Sequence, residues 1–333
     1  MKARLGGFAT LAAVGILALA LALAAGAAIV SRQMLLEQGR IKAELDERAA
    51  AWKEADALLA GLRDDWNADG LSLDSWWAVH ASAFPSGSEL VSLSGRINLN
   101  SISPFLLKDS ELASTLLGRS VEDFVSYRTE KGPFTSIDDC KDYFQPAALS
   151  SLYCLHSIFC VNTADEIMIE RLIAARTGDE AFAASVRSRI RDFRTRRQPI
   201  AQSDWDAIAG AERQSLGALF ALDPEIDVNT APPEVLGAIL RDPDWTLQAP
   251  DAKLQAILGA RSSRPWNEEG LRQLLGVDAS SPLLGYLGTR TRFIRASLPS
   301  EGGSLRLVAL VDYSADSPPK IALRVIEERW IKA

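Results

Sequence analysis

The chain of 333 residues is long enough for one large core or two modest ones, and its 47% hydrophobic and 24% charged residues are typical of a globular protein. A net charge of −7 argues against a surface built throughout to hold nucleic acid, because phosphate binding needs a positive field. Three cysteines and two histidines without a Cys-x-x-Cys pair exclude the usual ligand spacing of a structural zinc site.

Residues 8–30 form an uncharged apolar run near the N-terminus. At about 1.5 Å per residue, a helix of this length spans roughly 34 Å, enough to cross a bilayer core of about 30 Å. Lys2 and Arg4 precede the run, and this positive flank predicts a cytoplasmic N-terminus with the body of the protein on the other side of the membrane. We therefore expect a single transmembrane helix over residues 8–30.

A helical pattern continues from that run through residues 31–66, where apolar and aromatic side chains recur at intervals of three, four and seven. This pattern predicts one helix of nearly 60 residues, half in lipid and half amphipathic in water. A cleaved secretory signal is the alternative, but the apolar run is long for such a signal and no loop follows it. The periodic residues are Met34, Ile41, Leu45, Trp52, Leu59, Leu62 and Trp66.

The residues before the apolar run resemble the leader of type IV pilin-like proteins. In that family a prepilin peptidase cuts after a glycine, which corresponds here to the Gly7–Phe8 bond and to a leader of residues 1–7. The fifth residue after the cut is Ala12, where ordinary pilins carry Glu. In the family that carboxylate is thought to pair with the terminal ammonium of an adjoining subunit, so the resemblance implies a subunit at one end of a filament.

The fold class expected is α+β, with a small antiparallel sheet of pilin-like type beside the long helix. Residues 89–100 alternate like a strand with a turn, and three further alternating segments lie near the C-terminus. We assign residues 67–100 to an irregular link and a first strand, residues 101–286 to an inserted helical domain, and residues 287–333 to strands that complete the core. The C-terminal alternating segments are residues 290–296, 304–311 and 320–329.

The inserted domain contains three repeats, at about residues 97–150, 160–215 and 226–278. Each begins with Asn and Ser or Thr, continues into a helix with basic residues and then reaches a proline turn. The short polar side chains are expected to start helices by accepting from free N–H groups of the first turn. The pattern resembles helix-hairpin-helix modules, although none of the repeats has the Gly-x-Gly hairpin that lets phosphate approach the backbone. The expected helix starts are Asn98, Asn100, Asn162, Thr163, Asn229 and Thr230.

Two further sets of residues leave alternatives open. In an oxidising compartment Cys140 pairs with Cys154 or Cys160, or all three cysteines stay reduced and buried. A basic cluster in the second repeat is either a solvated helix face or a patch for phosphate or an acidic partner. That cluster includes Arg187, Arg194, Arg196 and Arg197.

The leader, Ala12, the segment 95–100, the insertion with Asp227-Val-Asn-Thr-Ala231 and the C-terminal strands together resemble the K-type minor pseudopilins of bacterial type II secretion systems. This resemblance implies a non-enzymatic, single-pass inner-membrane protein with its body in the periplasm, at the tip of the pseudopilus. The implied partners are prepilin peptidase, other pseudopilins and the I- and J-type minor pseudopilins, with which it would initiate the filament and support export.

Some members of that family bind calcium, so the resemblance implies calcium as the one candidate cofactor. The acidic residues here lack EF-hand spacing, so we assign no metal ligands. The sequence also lacks Gly-x-Ser-x-Gly, Gly-x-Gly-x-x-Gly, P-loop and His-Glu-x-x-His motifs. The alternative function is a membrane-anchored helix-hairpin-helix protein of a DNA-uptake or pilus-tip system, although the charge argues against nucleic acid as a partner.

Overall fold

The computed structural model is an α+β protein with a long N-terminal helix, a four-stranded antiparallel sheet and a helical body inserted between the first two strands of that sheet. This arrangement confirms the fold class expected from the sequence as far as the long helix and the small sheet. The residues that the structure describes are 3–66, 73–156, 159–217, 219–261, 263–313 and 321–332.

The N-terminal helix α1 runs without a break over Ala3–Gly61 and ends in one π-helical turn, Leu62–Trp66. Its 59 residues confirm the prediction of a single long helix and give it a length of roughly 89 Å. Within the described part of the chain, no helix combines the length and the apolar character needed to cross a membrane. The side chains of the predicted leader cleavage site, Gly7 and Phe8, and of Ala12 lie outside the described residues.

The sheet has the order β1-β8-β9-β10, with every neighbouring pair antiparallel. The three C-terminal strands are those that the alternating pattern predicts. In one row across the sheet, Val91 pairs with Arg295, Arg295 with Val308, and Val308 with Glu327. The strands are β1 Glu89–Ser92, β8 Phe293–Ser300, β9 Gly303–Tyr313 and β10 Ile321–Lys332.

One face of this sheet packs against the end of α1. Alternation along each strand sends one set of apolar side chains to the helix side, where they meet Ala55, Leu58 and Leu62, all fully buried. A short helix α2, Leu73–His80, closes this core with Trp76, which is 1% exposed and stacks on His80 at 4.4 Å. The irregular link predicted between the long helix and the first strand therefore contains a helix.

The helical body consists of three units, each opened and closed by two-residue strands that pair in parallel. The first unit is closed by β2 Ile97–Asn98 with β3 Tyr153–Cys154. The second is closed by β4 Phe159–Cys160 with β5 Phe220–Ala221, and the third by β6 Ile226–Asp227 with β7 Leu287–Gly288. Each unit thus extends a few residues beyond the repeat expected from the sequence.

The described helices of these units are short, and several 3₁₀ turns connect them. The interpretation as helix-hairpin-helix modules stays a prediction. The first unit contains α3 Ser110–Ala113, α4 Val121–Lys131 and α5 Pro146–Ser151. The second contains α6 Glu166–Thr177, α7 Glu180–Thr195, α8 Gln202–Ala209 and α9 Arg213–Leu216. The third contains α10 Pro233–Leu240, α11 Pro250–Arg261, α12 Glu268–Leu275 and α13 Leu283–Tyr286.

The first and third units share one hydrophobic core, whereas the second unit has a core of its own. In the shared core, Phe124 of α4 packs in the same cluster as Leu236 of α10. In the separate core, Ile190 of α7 packs with Trp205 of α8. The second unit is therefore attached to the body mainly through its polar contacts and its chain connections.

Candidate functional site

Each of the three units contains one asparagine whose side chain hydrogen bonds to the backbone of the residue after a proline. In the first unit, Asn100 Oδ1 accepts from the N–H of Phe134 at 2.7 Å, and Asn100 Nδ2 donates to the Phe134 carbonyl at 3.0 Å. The same pair of bonds forms in the second and third units, at 2.8 and 3.4 Å between Asn162 and Ile200 and at 2.7 and 3.2 Å between Asn229 and Trp266.

Each unit also contains one arginine that binds the two carbonyls flanking its asparagine. The Arg128 guanidinium donates to the carbonyls of Leu99, at 3.3 Å, and of Ile102, at 2.7 Å. The three units therefore share one polar frame, an asparagine and an arginine that clamp the segment after the first short strand. The equivalent bonds are Arg194 to Val161 at 2.8 Å and Ala164 at 2.7 Å, and Arg261 to Val228 at 3.0 Å and Ala231 at 2.6 Å.

The expectation that these asparagines and threonines start helices is wrong. Asp165 caps α6, with its side chain accepting from the N–H of Ile167 at 2.7 Å, and α10 has no side-chain cap. The polar residues lie a few positions before each helix. The partners of the three asparagines are 34, 38 and 37 positions away, so a local sequence pattern does not indicate them. Asn98 Oδ1 accepts from Asn100 N within the same segment at 2.9 Å, whereas Thr230 Oγ1 donates to Ser92 Oγ at the end of β1 at 2.9 Å.

Glu225, in the segment between the second and third units, binds side chains of both the first and the second unit. Its Oε1 accepts from Ser101 Oγ of the first unit at 2.6 Å, and its Oε2 accepts from Thr163 Oγ1 of the second unit at 3.0 Å. Burial raises the pKa of the Glu225 carboxyl, while the two hydroxyls and the nearby guanidinium groups of Arg128 and Arg194 act in the opposite direction. The sequence reasoning missed Glu225 because neither of its partners is near it in the chain.

A buried ion pair connects the first two units. Arg128 is fully buried and donates to Asp165 of the second unit. Burial lowers the pKa of Arg128, and the charge of Asp165 opposes this shift. Arg128 was visible in the sequence only as one of the basic residues ending the first helix of each repeat, because its carboxylate partner lies 37 positions away.

The three cysteines are free and buried, which agrees with the second of the two alternatives; the structure has no disulfide between Cys140 and Cys154 or Cys160. Cys140 lies in the core shared by the first and third units, whereas Cys154 lies in a small cluster against the sheet. Cys160 is near the carbonyl of Gly285 in the third unit, with its sulfur 3.8 Å from that oxygen. Burial raises the pKa of Cys154 to about 12 and that of Cys160 to about 11, so both thiols are protonated and unreactive at neutral pH.

The basic cluster of the second unit is divided between internal contacts and solvent. Arg187 pairs with Glu170 at 2.6 Å, and Arg194 belongs to the polar frame. Arg196 and Arg197, at the end of α7, are exposed. The structure therefore brings only two of the four arginines to the surface as a candidate patch for an anionic partner.

Among the residues that the structure describes, no group of three or more His, Cys, Asp or Glu side chains is arranged to hold a metal ion. Asp139, in an acidic segment of the first unit, accepts from the backbone N–H of Ser136 at 3.0 Å and of Thr135 at 3.3 Å. Calcium binding stays a prediction that rests on family resemblance alone.

Within the described part of the chain, most of the exposed large apolar side chains lie on α1. Between residues 17 and 45, large apolar side chains are exposed on several sides of the helix; Leu35, for example, is 68% exposed. From Ala51 onward the helix is buried against the sheet. The exposed residues are Leu17, Leu21, Leu23, Ile29, Val30, Met34, Leu35, Leu36, Ile41 and Leu45.

Comparisons with known proteins give a likeness to solved structures but none to a family model or a curated protein. No protein-family model matches the chain, and no curated protein matches it. A solved structure that aligns with it is the GspK–GspI–GspJ complex of the type 2 secretion system of enterotoxigenic Escherichia coli. The alignment has 15% identity and a TM-score of 0.33, and it covers 88% of this chain and 100% of that one.

The complex in that alignment contains the K-, I- and J-type proteins to which the sequence resemblance points. At this identity and TM-score, however, the two chains differ too much in overall arrangement for the likeness to carry a functional assignment. The assignment has to come from the residues and contacts of this chain.

Proposed function

We propose that this protein is a non-enzymatic, K-type minor pseudopilin that lies at the tip of a type II secretion pseudopilus and assembles there with I- and J-type partners. The observation that carries the proposal is the division of α1 into two parts. Its last turns are buried under a small antiparallel sheet, whereas its earlier turns expose apolar side chains over residues 17–45.

An apolar helix of this kind needs lipid or other helices around it. Each large apolar side chain transferred out of water stabilises the protein by about 1.5–3 kcal/mol, so a row of exposed leucines favours association. The uncharged run 8–30 and its basic flank fit an inner-membrane anchor with the body in the periplasm. The residues after it, including Met34 and Ile41, fit packing against neighbouring filament subunits.

Two features of the chain support a position at the tip. The helical body is inserted between β1 and β8, so it adds about 190 residues to one end of a pilin-like core. Subunits stacked above such a body would collide with it, whereas nothing lies above the last subunit of a filament. Ala12, in the position of the usual Glu, removes the carboxylate that internal subunits are thought to use.

The assembly claim is tested by co-purification of the full chain with I- and J-type partners from membranes. Leu35→Glu places a charge in the exposed apolar surface and is expected to reduce recovery of the complex about tenfold or more, because the charge must lose its hydration. Gln38→Glu adds the same charge one turn further along α1 at another exposed position and is the matched control.

The proposal is wrong if the wild-type chain forms no complex or if the two variants behave alike. Mass spectrometry of the membrane-extracted protein tests the leader separately, since processing by prepilin peptidase leaves Phe8 as the first residue. An N-terminus near Ala28 would instead identify a cleaved secretory signal.

The DNA-uptake alternative gains no support from the contacts of the basic cluster, because Arg187 and Arg194 are engaged within the protein. A gel-shift assay of the full chain tests it directly. Tight, salt-sensitive binding that is lost when Arg196 and Arg197 are changed to Ala would favour the DNA function over secretion.

A further inference from the structure

A cleft with a volume of about 430 Å³ lies between the sheet and the first helical unit. Its floor is the sheet face opposite α1, and its other wall is formed by the 3₁₀ turn Ile137–Cys140 and by α5 of the first unit. Cavities of this size are within the range of small-ligand sites.

The floor of the cleft is cationic where an apolar surface would be expected. The strand register puts Arg295 beside Val308, and Arg306 beside Arg329, in adjacent rows of one sheet face. Burying an arginine between two parts of a protein costs free energy unless the charge is paired and hydrogen-bonded. The opposite face of the same strands, against α1, is apolar.

Two of these arginines each have a buried donor without an acceptor among the described residues. Among the described residues, Nε of Arg295 and Nε of Arg306 are buried without a hydrogen-bond partner, and Arg295, Arg306 and Arg329 make no ion pair with a carboxylate. Burial lowers the pKa of Arg295, and the charges of Arg96 and Arg306 lower it further, while the carboxylate of Glu89 acts in the opposite direction. A buried donor without an acceptor requires an explanation, and a bound anion supplies one.

The carboxylates in the lining do not neutralise this charge. Glu327 is in contact with His156, with an oxygen 2.6 Å from Nε2, and Asp138 lies on the opposite wall. Lys141 adds a further cation to that wall. The cleft therefore has an excess of positive groups around its sheet side.

The remaining lining indicates what kind of anion fits. Leu149, Leu155 and Val308 are part of the wall, so the cationic groups stand beside an apolar surface. A guanidinium group can hold a carboxylate through two parallel hydrogen bonds, and the apolar wall can receive a short hydrocarbon body. Inorganic phosphate would use the guanidinium groups but not the apolar wall.

We propose that this cleft is a binding site for a carboxylate carried on an apolar body, with Arg295 and Arg306 as the groups that hold the carboxylate. The carboxylate belongs either to a small organic acid or to an acidic side chain of another polypeptide. This site is independent of the assembly surface on α1 and of the proposed place in a filament.

The test is isothermal titration calorimetry of the full chain in a non-ionic detergent at low salt, with detergent blanks. The probes are hexanoate, the capped tripeptide acetyl-Leu-Glu-Leu-amide and inorganic phosphate. We expect saturable binding of hexanoate or the tripeptide, and at least about tenfold weaker binding in Arg295→Gln and Arg306→Gln, since each variant loses charge-assisted hydrogen bonds.

Two further variants test whether weaker binding in Arg295→Gln and Arg306→Gln results from loss of folding. Arg329→Gln changes an exposed member of the lining and is expected to weaken binding without unfolding the protein. Arg324→Gln changes an exposed arginine of β10 outside the lining and is expected to leave binding unchanged.

The two carboxylate sources are separated by the ratio of their affinities. Tripeptide binding about tenfold tighter than that of hexanoate indicates an acidic side chain, and the reverse order indicates a small acid. The proposal is overturned if neither probe binds at about 10 mM, if phosphate binds as tightly as both, or if Arg295→Gln and Arg306→Gln bind like the wild type.

Discussion

At the scale of single residues, the helical body is stabilised by side chains that hydrogen bond to backbone groups as a neighbouring strand would. Proline has no N–H and cannot continue a hydrogen-bonded ladder, so the peptide after it needs other partners. Asn100 supplies both an acceptor and a donor to Phe134, as a neighbouring strand would. The same arrangement in the second and third units indicates that an asparagine amide at this point is a requirement of the unit.

Replacing each asparagine by alanine tests this requirement. Asn100→Ala, Asn162→Ala and Asn229→Ala are each expected to lower the free energy of unfolding by about 1–3 kcal/mol, because the post-proline N–H and carbonyl lose their partners. Urea unfolding of the full chain in detergent measures the change. Gln198→Ala, at an exposed position next to the second proline, should stay within about 0.5 kcal/mol; a similar effect at all four positions would contradict this role.

The sequence identified these residues but not their role. Asn followed by Ser or Thr before an apolar stretch is typical of a helix start, and local propensity offers no other interpretation. The actual partners lie 34, 38 and 37 positions away. The arginines of the polar frame and Glu225 also bind partners that are distant in the chain. The repeated Asn, Arg and Pro pattern is therefore visible in the sequence, whereas the hydrogen bonds that these residues form are not.

At the scale of elements, α1 passes through two environments without changing its backbone. The side chains of residues 25–43 are all exposed, and from Ala51 one stripe of the helix is buried with the sheet. The sequence predicted the unbroken helix because no proline interrupts it. It missed α2 because the helix has only eight residues and Gly and Pro signals lie on both sides.

Substitution of a buried and of an exposed leucine on α1 distinguishes the part of the helix that packs in the core from the part that is free for assembly. Leu58→Ala is expected to lower the free energy of unfolding by about 2–5 kcal/mol, since the side chain is fully buried between the helix and the sheet. Thermal or urea unfolding monitored by tryptophan fluorescence measures it. Leu35→Ala removes the same atoms from an exposed position and should leave unfolding unchanged. Equal effects would mean that the two parts of α1 are not distinct.

At the scale of the whole molecule, polar groups connect units that do not share a single core. Glu225 contacts the first and second units, and Asp227 at the start of the third accepts from Thr291 Oγ1 at 2.6 Å, close to the sheet. Burial raises the pKa of both carboxyls. The connections between units are therefore sensitive to the protonation of buried carboxyl groups.

The sign of this sensitivity can be predicted. Since the pKa of Glu225 is raised above 4.5 on folding, the folded chain keeps a proton that the unfolded chain has released, and stability falls as pH rises from 4.5 through the folded pKa. Glu225→Gln should reduce this fall, and unfolding free energies measured at a series of pH values test it. Glu180→Gln, at an exposed position, is the control; an unchanged pH slope in Glu225→Gln would contradict the prediction.

The attachment of the helical body to the sheet has a consequence for the order in which the chain folds. Pairing β1 with β8 requires closing a loop of about 200 residues, which in an unfolded chain costs about 4 kcal/mol more entropy than closing a two-residue hairpin. The folded body brings the two strand ends together: Asp227 N donates to Ser94 O at 2.8 Å, and a Cβ on Gly95 would lie 2.6 Å from the backbone of Thr230. The helical units must therefore largely fold before the sheet forms. The rate of sheet formation should then be limited by the folding rate of the helical body rather than by diffusion of the two strands.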